Sequence, residues 1–227
     1  MVGKSQKTQR IINVLALVSA CAAIYFESVG NRAIFMFLKP LTTILIMSLL
    51  FFVDPHRLSK FKYLMMAAFS LCLLGDILLL FDAYFVYGLA AFLLGHILFA
   101  SGFIKLKGFY FHPVATVGIF AVGTFLFFWL RPDLGAFMVP VALYVFVICF
   151  MATQGVGLYM RDKSKAFGWI AMAVLLFMLS DTLIAIAKFK APFAYSSLLI
   201  LGTYWLSIGL IANASFRMVS EKREGIS

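Results

Sequence analysis

The sequence predicts an all-α integral membrane protein, a bundle of eight transmembrane helices with both termini cytoplasmic. Three observations predict it. The 227 residues are 64% hydrophobic and 12% charged, with mean hydropathy +1.04; a soluble domain is roughly half apolar and a quarter charged. Apolar runs recur that are long enough for a bilayer, which takes about 20 residues per crossing. The basic residues alternate between the two ends of those runs, as expected if cytoplasmic loops carry the excess of Lys and Arg.

The predicted spans are 11–27, 32–53, 61–81, 83–104, 113–130, 136–158, 166–188 and 194–216. The first follows the basic segment MVGKSQKTQR. Val18-Ser19-Ala20-Cys21 within it resembles a lipoprotein cleavage box, but the apolar run continues past Cys21. The second span carries Lys39-Pro40, where the proline frees a carbonyl and favours a kink. Breaks are expected at Asp54-Pro55-His56-Arg57, at Arg131-Pro132-Asp133 and at Lys190-Ala191-Pro192. These spans leave only short connections, so residues 1–227 read as a single transmembrane domain.

The net charge of +10 is spread along the chain and does not form a nucleic-acid-binding patch. With the N-terminus inside, one side holds Lys4, Lys7, Arg10, Arg57, Lys60, Lys62, Lys105, Lys107, Arg161, Lys163, Lys165, Arg217, Lys222 and Arg223. The other holds Arg32, Lys39, Arg131, Lys188 and Lys190, so the count is 14 against 5. That alternation needs an even number of spans; seven would break it. Short polar ends and compact loops point to a bacterial inner membrane. Cys21, Cys72 and Cys149 fall within spans and show no pairing pattern.

Asp76 and Asp181 lie inside apolar runs, LMMAAFSLCLLGDILLLF and WIAMAVLLFMLSDTLIAIAKF. A carboxylate at that depth is costly to desolvate, so it marks a functional site by default. At 1.5 Å per residue, Asp76 is expected roughly 8 Å below the outer end of its span and Asp181 roughly 10 Å. Lys39, Tyr144 and Tyr204 enter from the same side, with His96 past the midplane, giving a polar layer in the outer half of the bundle. Gly75-Asp76-Ile77-Leu78 and Ser180-Asp181-Thr182-Leu183 read alike, which suggests a weak 4+4 parallel repeat.

Each candidate also has a structural reading. The aspartates would bond neighbouring hydroxyls or pair with Lys39 to fix helix packing, and Lys39 would snorkel to the interface. His96, in one stripe with Gly88 and Phe92, would be a buried hydrogen-bonding residue. Tyr144 and Tyr204 would be core aromatics with satisfied hydroxyls. His56 and His112 read as loop residues, and Glu27, Asp82 and Asp133 as groups at wetted span ends.

Absences prune the chemistry. No G-x-S-x-G elbow is present. One deep histidine is too few for a His-rich zinc site, so no metal or cofactor is expected. Leu73 stands where an intramembrane aspartyl protease has the first glycine of Gly-x-Gly-Asp.

The chain resembles the lysoplasmalogenases, YhhN-like eight-span membrane proteins, from Lys39-Pro40-Leu41 to the last span. The resemblance is carried by Gly75-Asp76 followed by Tyr84-Phe85-Val86-Tyr87-Gly88, Phe92 and His96. Ser180-Asp181 with Ile184-Ala185, Lys188-Phe189, Pro192, Tyr195-Ser196 and Thr203-Tyr204 carries it further, as does Tyr144 with Met151. Phe99, Ile208 and Tyr87 depart from residues common in the family. The resemblance implies hydrolysis of the vinyl ether bond of a lysoplasmalogen, a lysophospholipid, to a fatty aldehyde and glycerophospho-ethanolamine or -choline. That reaction asks for one carboxylic acid and one carboxylate, near the logic of glycoside hydrolysis, and so implies Asp76 and Asp181 as catalytic residues. His96, Tyr144 and Tyr204 would position substrate or relay protons, and Lys39 would meet the lipid phosphate. The rival reading is a proton-coupled transporter using the same aspartates as relay sites. The sequence does not specify an oligomeric state.

Overall fold

A computed structural model describes residues 2–52 and 59–224. The Asp54–Arg57 corner, with His56, lies outside the described residues, as do the side chains of Lys4, Lys222 and Arg223. Among the described residues the chain is helical, with no strand. The α-helices are α1 (Val2–Ser28), α2 (Arg32–Ser48), α3 (Ser59–Leu78), α4 (Phe85–Lys107), α5 (Pro113–Leu134), α6 (Met138–Arg161), α7 (Lys165–Phe189) and α8 (Ser196–Glu224). Seven stretches are long and apolar enough to cross a membrane; the fifth, Pro113–Arg161, contains both α5 and α6.

Local chemistry starts and stops these helices. The Asn31 carboxamide accepts from the Ile34 N–H at 3.3 Å, His112 Nδ1 from Ala115 at 3.3 Å, and Ser164 Oγ from Phe167 at 3.4 Å. Each satisfies an N–H that the first helical turn leaves unpaired, and Pro113 behind His112 has no such N–H to satisfy. His112 is thus a cap and not a plain loop residue.

Two boundaries differ from expectation. The break expected at Arg131-Pro132-Asp133 falls later: α5 runs through Pro132 to Leu134, and the chain turns at Gly135 with φ +48°. A proline near the end of a helix deletes only one late bond, whereas the positive φ demands glycine. The third span was expected to reach 81, but α3 ends at Leu78. Leu80 and Phe81 donate to Ile77 and Leu78 three residues back, tightening the chain into a turn. Asp76 is therefore only roughly 3 Å from the helix end.

Small residues set the tightest packing. A Cβ on Gly88 would meet the Leu79 side chain, one on Gly95 would approach Cys72 Sγ, and one on Gly102 would meet Met65. The seven-residue spacing keeps these glycines on one stripe of α4 and runs α3 antiparallel to it. Close backbone approach of this kind is how helices associate without a hydrophobic driving force. Contacts elsewhere keep the directions alternating. Gln9 and Asn13 donate to Asn213 Oδ1 at 2.8 Å each, and Ser197 donates to Glu27 at 2.6 Å, so α1 is antiparallel to α8.

The two ends of the bundle are distinct. At one end Lys107 pairs with Asp162 at 3.1 Å, Arg161 donates to the Lys107 carbonyl, and Lys165 and Arg217 lie over Trp169. At the other, Lys188 faces Asp82 at 3.7 Å, Lys190 pairs with Asp133, and Arg32 donates to the Leu80 carbonyl at 2.8 Å.

Gly75 has the least room to change. A Cβ there would sit 2.6 Å from the Phe92 ring, and a buried ring yields less than a flexible side-chain end. Gly75→Ala is expected to cost about 1–3 kcal/mol, a fall of roughly 2–10 °C in Tm, measured by thermal unfolding in detergent. Gly118→Ala, with nothing within 4 Å, is expected to hold or raise Tm.

Candidate active site

Four of the six candidate residues fall into two hydrogen-bonded pairs, Asp76 with Tyr204 and Asp181 with Tyr144, with Lys39 near the first and His96, at the middle of α4, beside the second. In the first, Asp76 Oδ2 accepts from Thr43 Oγ1 at 2.6 Å and from the Tyr204 hydroxyl at 2.8 Å. Asp76 is 1% exposed and Thr43 fully buried. The acid on α3 is thus held by donors from α2 and α8. Lys39 lies one turn before Thr43 on α2 and is also buried. Its charge is felt by Asp76 and Glu27, yet among the described residues no carboxylate lies within ion-pair distance of it.

In the second group the Tyr144 hydroxyl on α6 donates to Asp181 Oδ2 on α7 at 2.6 Å. His96 Nε2 on α4 lies 3.6 Å from the same oxygen, beyond a direct hydrogen bond. His96 is fully buried, and neither ring nitrogen has a hydrogen-bond partner among the described residues. Its ring is gripped edge-on by Phe177 at 4.6 Å and Tyr144 at 5.4 Å between centroids.

An aromatic septum stands between the groups. Phe177, one turn before Asp181, touches both His96 and Tyr204, the latter at 5.5 Å; Phe92, one turn before His96, lies 5.7 Å from Tyr204 and 6.2 Å from Phe177. Gly75 admits the Phe92 ring against α3. Ser180 donates to the Ile200 carbonyl at 3.0 Å, tying α7 to α8 beside Asp181.

The two acids meet different surroundings. A narrow cleft runs between α4 and α5 over α6 and α7, and Tyr144 and Asp181 are on its wall. Most of the lining is apolar, including Phe85, Leu89, Leu126 and Ile184. Asp181 is 11% exposed, whereas Asp76 does not reach the cleft. The few polar groups on this apolar wall, the Asp181 carboxyl and the Tyr144 and Thr182 hydroxyls, come from α6 and α7.

Sequence reasoning missed Thr43, although its one-turn spacing from Lys39 puts it on the same helix face. It also missed the septum, since phenylalanines read as bulk. Among the described residues no three His, Cys, Asp or Glu side chains converge to hold a metal.

Tyr204 and Thr43 share one oxygen of Asp76, so their contributions should couple. Tyr204→Phe and Thr43→Val are each expected to destabilise the protein by about 1.5–3 kcal/mol, as for a bond to a charged group. A double-mutant cycle on unfolding in detergent should show a coupling of at least about 0.5 kcal/mol. Additive effects would mean that the two bonds are independent.

A model of the YhhN family matches residues 34–215. The chain is 35% identical over 149 residues to lysoplasmalogenase TMEM86A of Bos taurus, covering 61% of this chain and 59% of that protein. It is 32% identical over 148 residues to lysoplasmalogenase TMEM86A of Homo sapiens, with 61% and 59% covered. Against lysoplasmalogenase TMEM86B of Homo sapiens it is 31% identical over 162 residues, with 69% and 65% covered. The chain thus spans about three-fifths of the length of the first two relatives. No solved structure matches it.

Proposed function

The chain belongs to the YhhN family, and from that premise we propose that it is a lysoplasmalogenase using two aspartates, Asp181 for acid–base chemistry and Asp76 for stabilising charge. The observation that carries the reading is a membrane-embedded carboxyl, Asp181, held by Tyr144 on the wall of an apolar cleft. The relatives, named lysoplasmalogenases, support this choice of reaction. They give no support to a carrier using the same aspartates.

A vinyl ether is electron-rich at its β-carbon. In the proposed reaction Asp181 delivers its proton there, and positive charge develops on the α-carbon and the ether oxygen. Water adds to the α-carbon and its proton passes to the Asp181 carboxylate, which restores the acid. The hemiacetal formed collapses to fatty aldehyde and the glycerol hydroxyl, so one water is consumed and no other reactant is needed. His96, whose buried nitrogens have no hydrogen-bond partner among the described residues, holds that water. Asp76 supplies negative charge behind the septum, fixed by Thr43 and Tyr204, and Lys39 meets the phosphate.

The reading includes a single domain of eight crossings. The stretch Pro113–Arg161 counts as two because α5 and α6 fold back on each other: Cys149 Sγ reaches the Ile119 carbonyl at 3.7 Å, and Phe120 meets Phe146. Both termini are cytoplasmic, with the acids toward the opposite leaflet; a bacterial inner membrane suits this layout. The 4+4 repeat gains support from the donors. Asp76 on the third helix is served by the second and eighth, and Asp181 on the seventh by the sixth and, at longer range, the fourth.

The test is aldehyde release from a lysoplasmenyl lipid by the purified protein in detergent, with acyl and saturated-ether lysolipids as controls. Turnover of the vinyl ether alone is expected. Asp181→Asn should lower kcat by at least about 100-fold, the scale of a lost general acid. Asp76→Asn, which keeps an acceptor for Thr43 and Tyr204, should lower it by roughly tenfold or more. Well-folded protein that leaves the vinyl ether intact would overturn the assignment.

A further inference from the structure

The outer end of the bundle carries a second pocket, and its chemistry is the opposite of the cleft's. It is an open pocket of about 410 Å³ between the end of α1, the start of α2 and the α3–α4 corner, with Glu27, Arg32 and Asp82 on its wall. Phe35, Met36, Leu79 and Leu80 complete it, and Gly30 leaves one side open. Resting on the lysoplasmalogenase reading, we infer that this pocket is the headgroup site and that it takes a zwitterionic phosphodiester bearing a primary ammonium, glycerophosphoethanolamine rather than glycerophosphocholine.

A bare anion would meet Glu27 and Asp82, and a bare cation would meet Arg32, so neither is favoured alone. A zwitterion satisfies both signs. Arg32 is pre-set for a phosphate: one guanidinium N–H is spent on the Leu80 carbonyl at 2.8 Å, which fixes the group and leaves the other donors of its fork free. Lys39 lies one turn below Phe35 and Met36 on α2, 8% exposed, with Glu27 and Asp76 as its charge neighbours. Such a buried ammonium with no ion pair among the described residues favours an anion above it.

The ammonium end distinguishes the two headgroups. Glu27 is anchored by the Ser197 hydroxyl at 2.6 Å and, with Asp82, offers carboxylate acceptors to a primary ammonium. A quaternary ammonium has no N–H to donate and is instead held by a cage of aromatic faces. Phe35 is the one ring in this lining.

The pocket also adjoins the catalytic groups. Leu79, the first residue past α3, lies three residues beyond Asp76, roughly 5 Å further along the chain. Asp82 on its wall faces Lys188 at 3.7 Å, and Lys188 covers Phe85 of the cleft at 4.6 Å. The two rims therefore meet at the α3–α4 corner, which a lipid with headgroup and tail in the respective cavities would straddle.

The test is isothermal titration of the full chain in detergent with four soluble probes: glycerophosphoethanolamine, glycerophosphocholine, glycerol 3-phosphate and inorganic phosphate. Saturable binding of the first is expected, at least about tenfold tighter than each of the others. Arg32→Gln and Glu27→Gln should each weaken it about tenfold without shifting Tm, and Glu27→Lys should reverse the order in favour of glycerol 3-phosphate. Equal binding of all four phosphates, or no binding by folded protein, would overturn the site. Because the probes lack a vinyl ether, binding is read without turnover. Loss of probe binding with hydrolysis intact removes this pocket alone; binding without hydrolysis keeps the pocket and removes the hydrolase reading.

Discussion

Everything in this bundle is arranged around two carboxyl groups that lipid cannot solvate. A polar group left unsatisfied in hydrocarbon costs several kcal/mol, so each acid must find donors on other helices. Asp76 draws on α2 and α8, and Asp181 on α6, with His96 of α4 close by. Counting α3 and α7 themselves, the acids bring six helices into register. The two left over, α1 and α5, are the peripheral ones: few of their side chains are buried, and Val117 and Phe125 of α5 are 66% and 69% exposed. A cleft forms where α5 covers the Asp181 group without being bonded to it. The position of the cleft thus follows from which helices the acids recruit.

The septum of Phe92 and Phe177 gives these two groups separate surroundings. Aromatic rings packed edge-to-face are stiff, low-entropy filler, and here they hold Tyr204 on one side and His96 on the other. Phe177 contacts both, so the two groups share one packed ring. The link between the groups is packing; among the described residues no hydrogen bond passes between the aspartates themselves.

Much of this was readable in the chain. Charges within apolar runs pointed to Asp76 and Asp181, and counting residues from span ends placed Tyr144, Tyr204 and Lys39 at compatible depths. Depth depends only on rise per residue, a local quantity. Which face of α3 or α7 turns toward the cleft depends on rotation about the helix axis, and that is fixed by contacts such as Gly75 with Phe92 and Gly95 with Cys72. Those contacts are non-local, so nothing in the sequence told that Asp181 lines the cleft and Asp76 does not. Pro132 misled for a related reason: proline is read as a break, but late in a helix its missing N–H costs little, and Gly135 makes the turn.

The asymmetry of the two acids suits the proposed substrate better than it suits an ester. In a vinyl ether the carbon that accepts a proton lies on the tail side of the bond, and the carbon that accepts water lies beside the glycerol oxygen. Protonation therefore calls for an acid facing the dry cleft, where Asp181 stands. Charge stabilisation belongs nearer the headgroup, where Asp76, Lys39 and the polar pocket above them lie, while the water is held by His96 beside Asp181. An ester presents a single carbonyl carbon to both nucleophile and oxyanion donors, and a saturated ether has no carbon that can be protonated. A site that is dry at the tail end and charged at the head end is matched to a bond whose two reactive carbons are adjacent but chemically opposite.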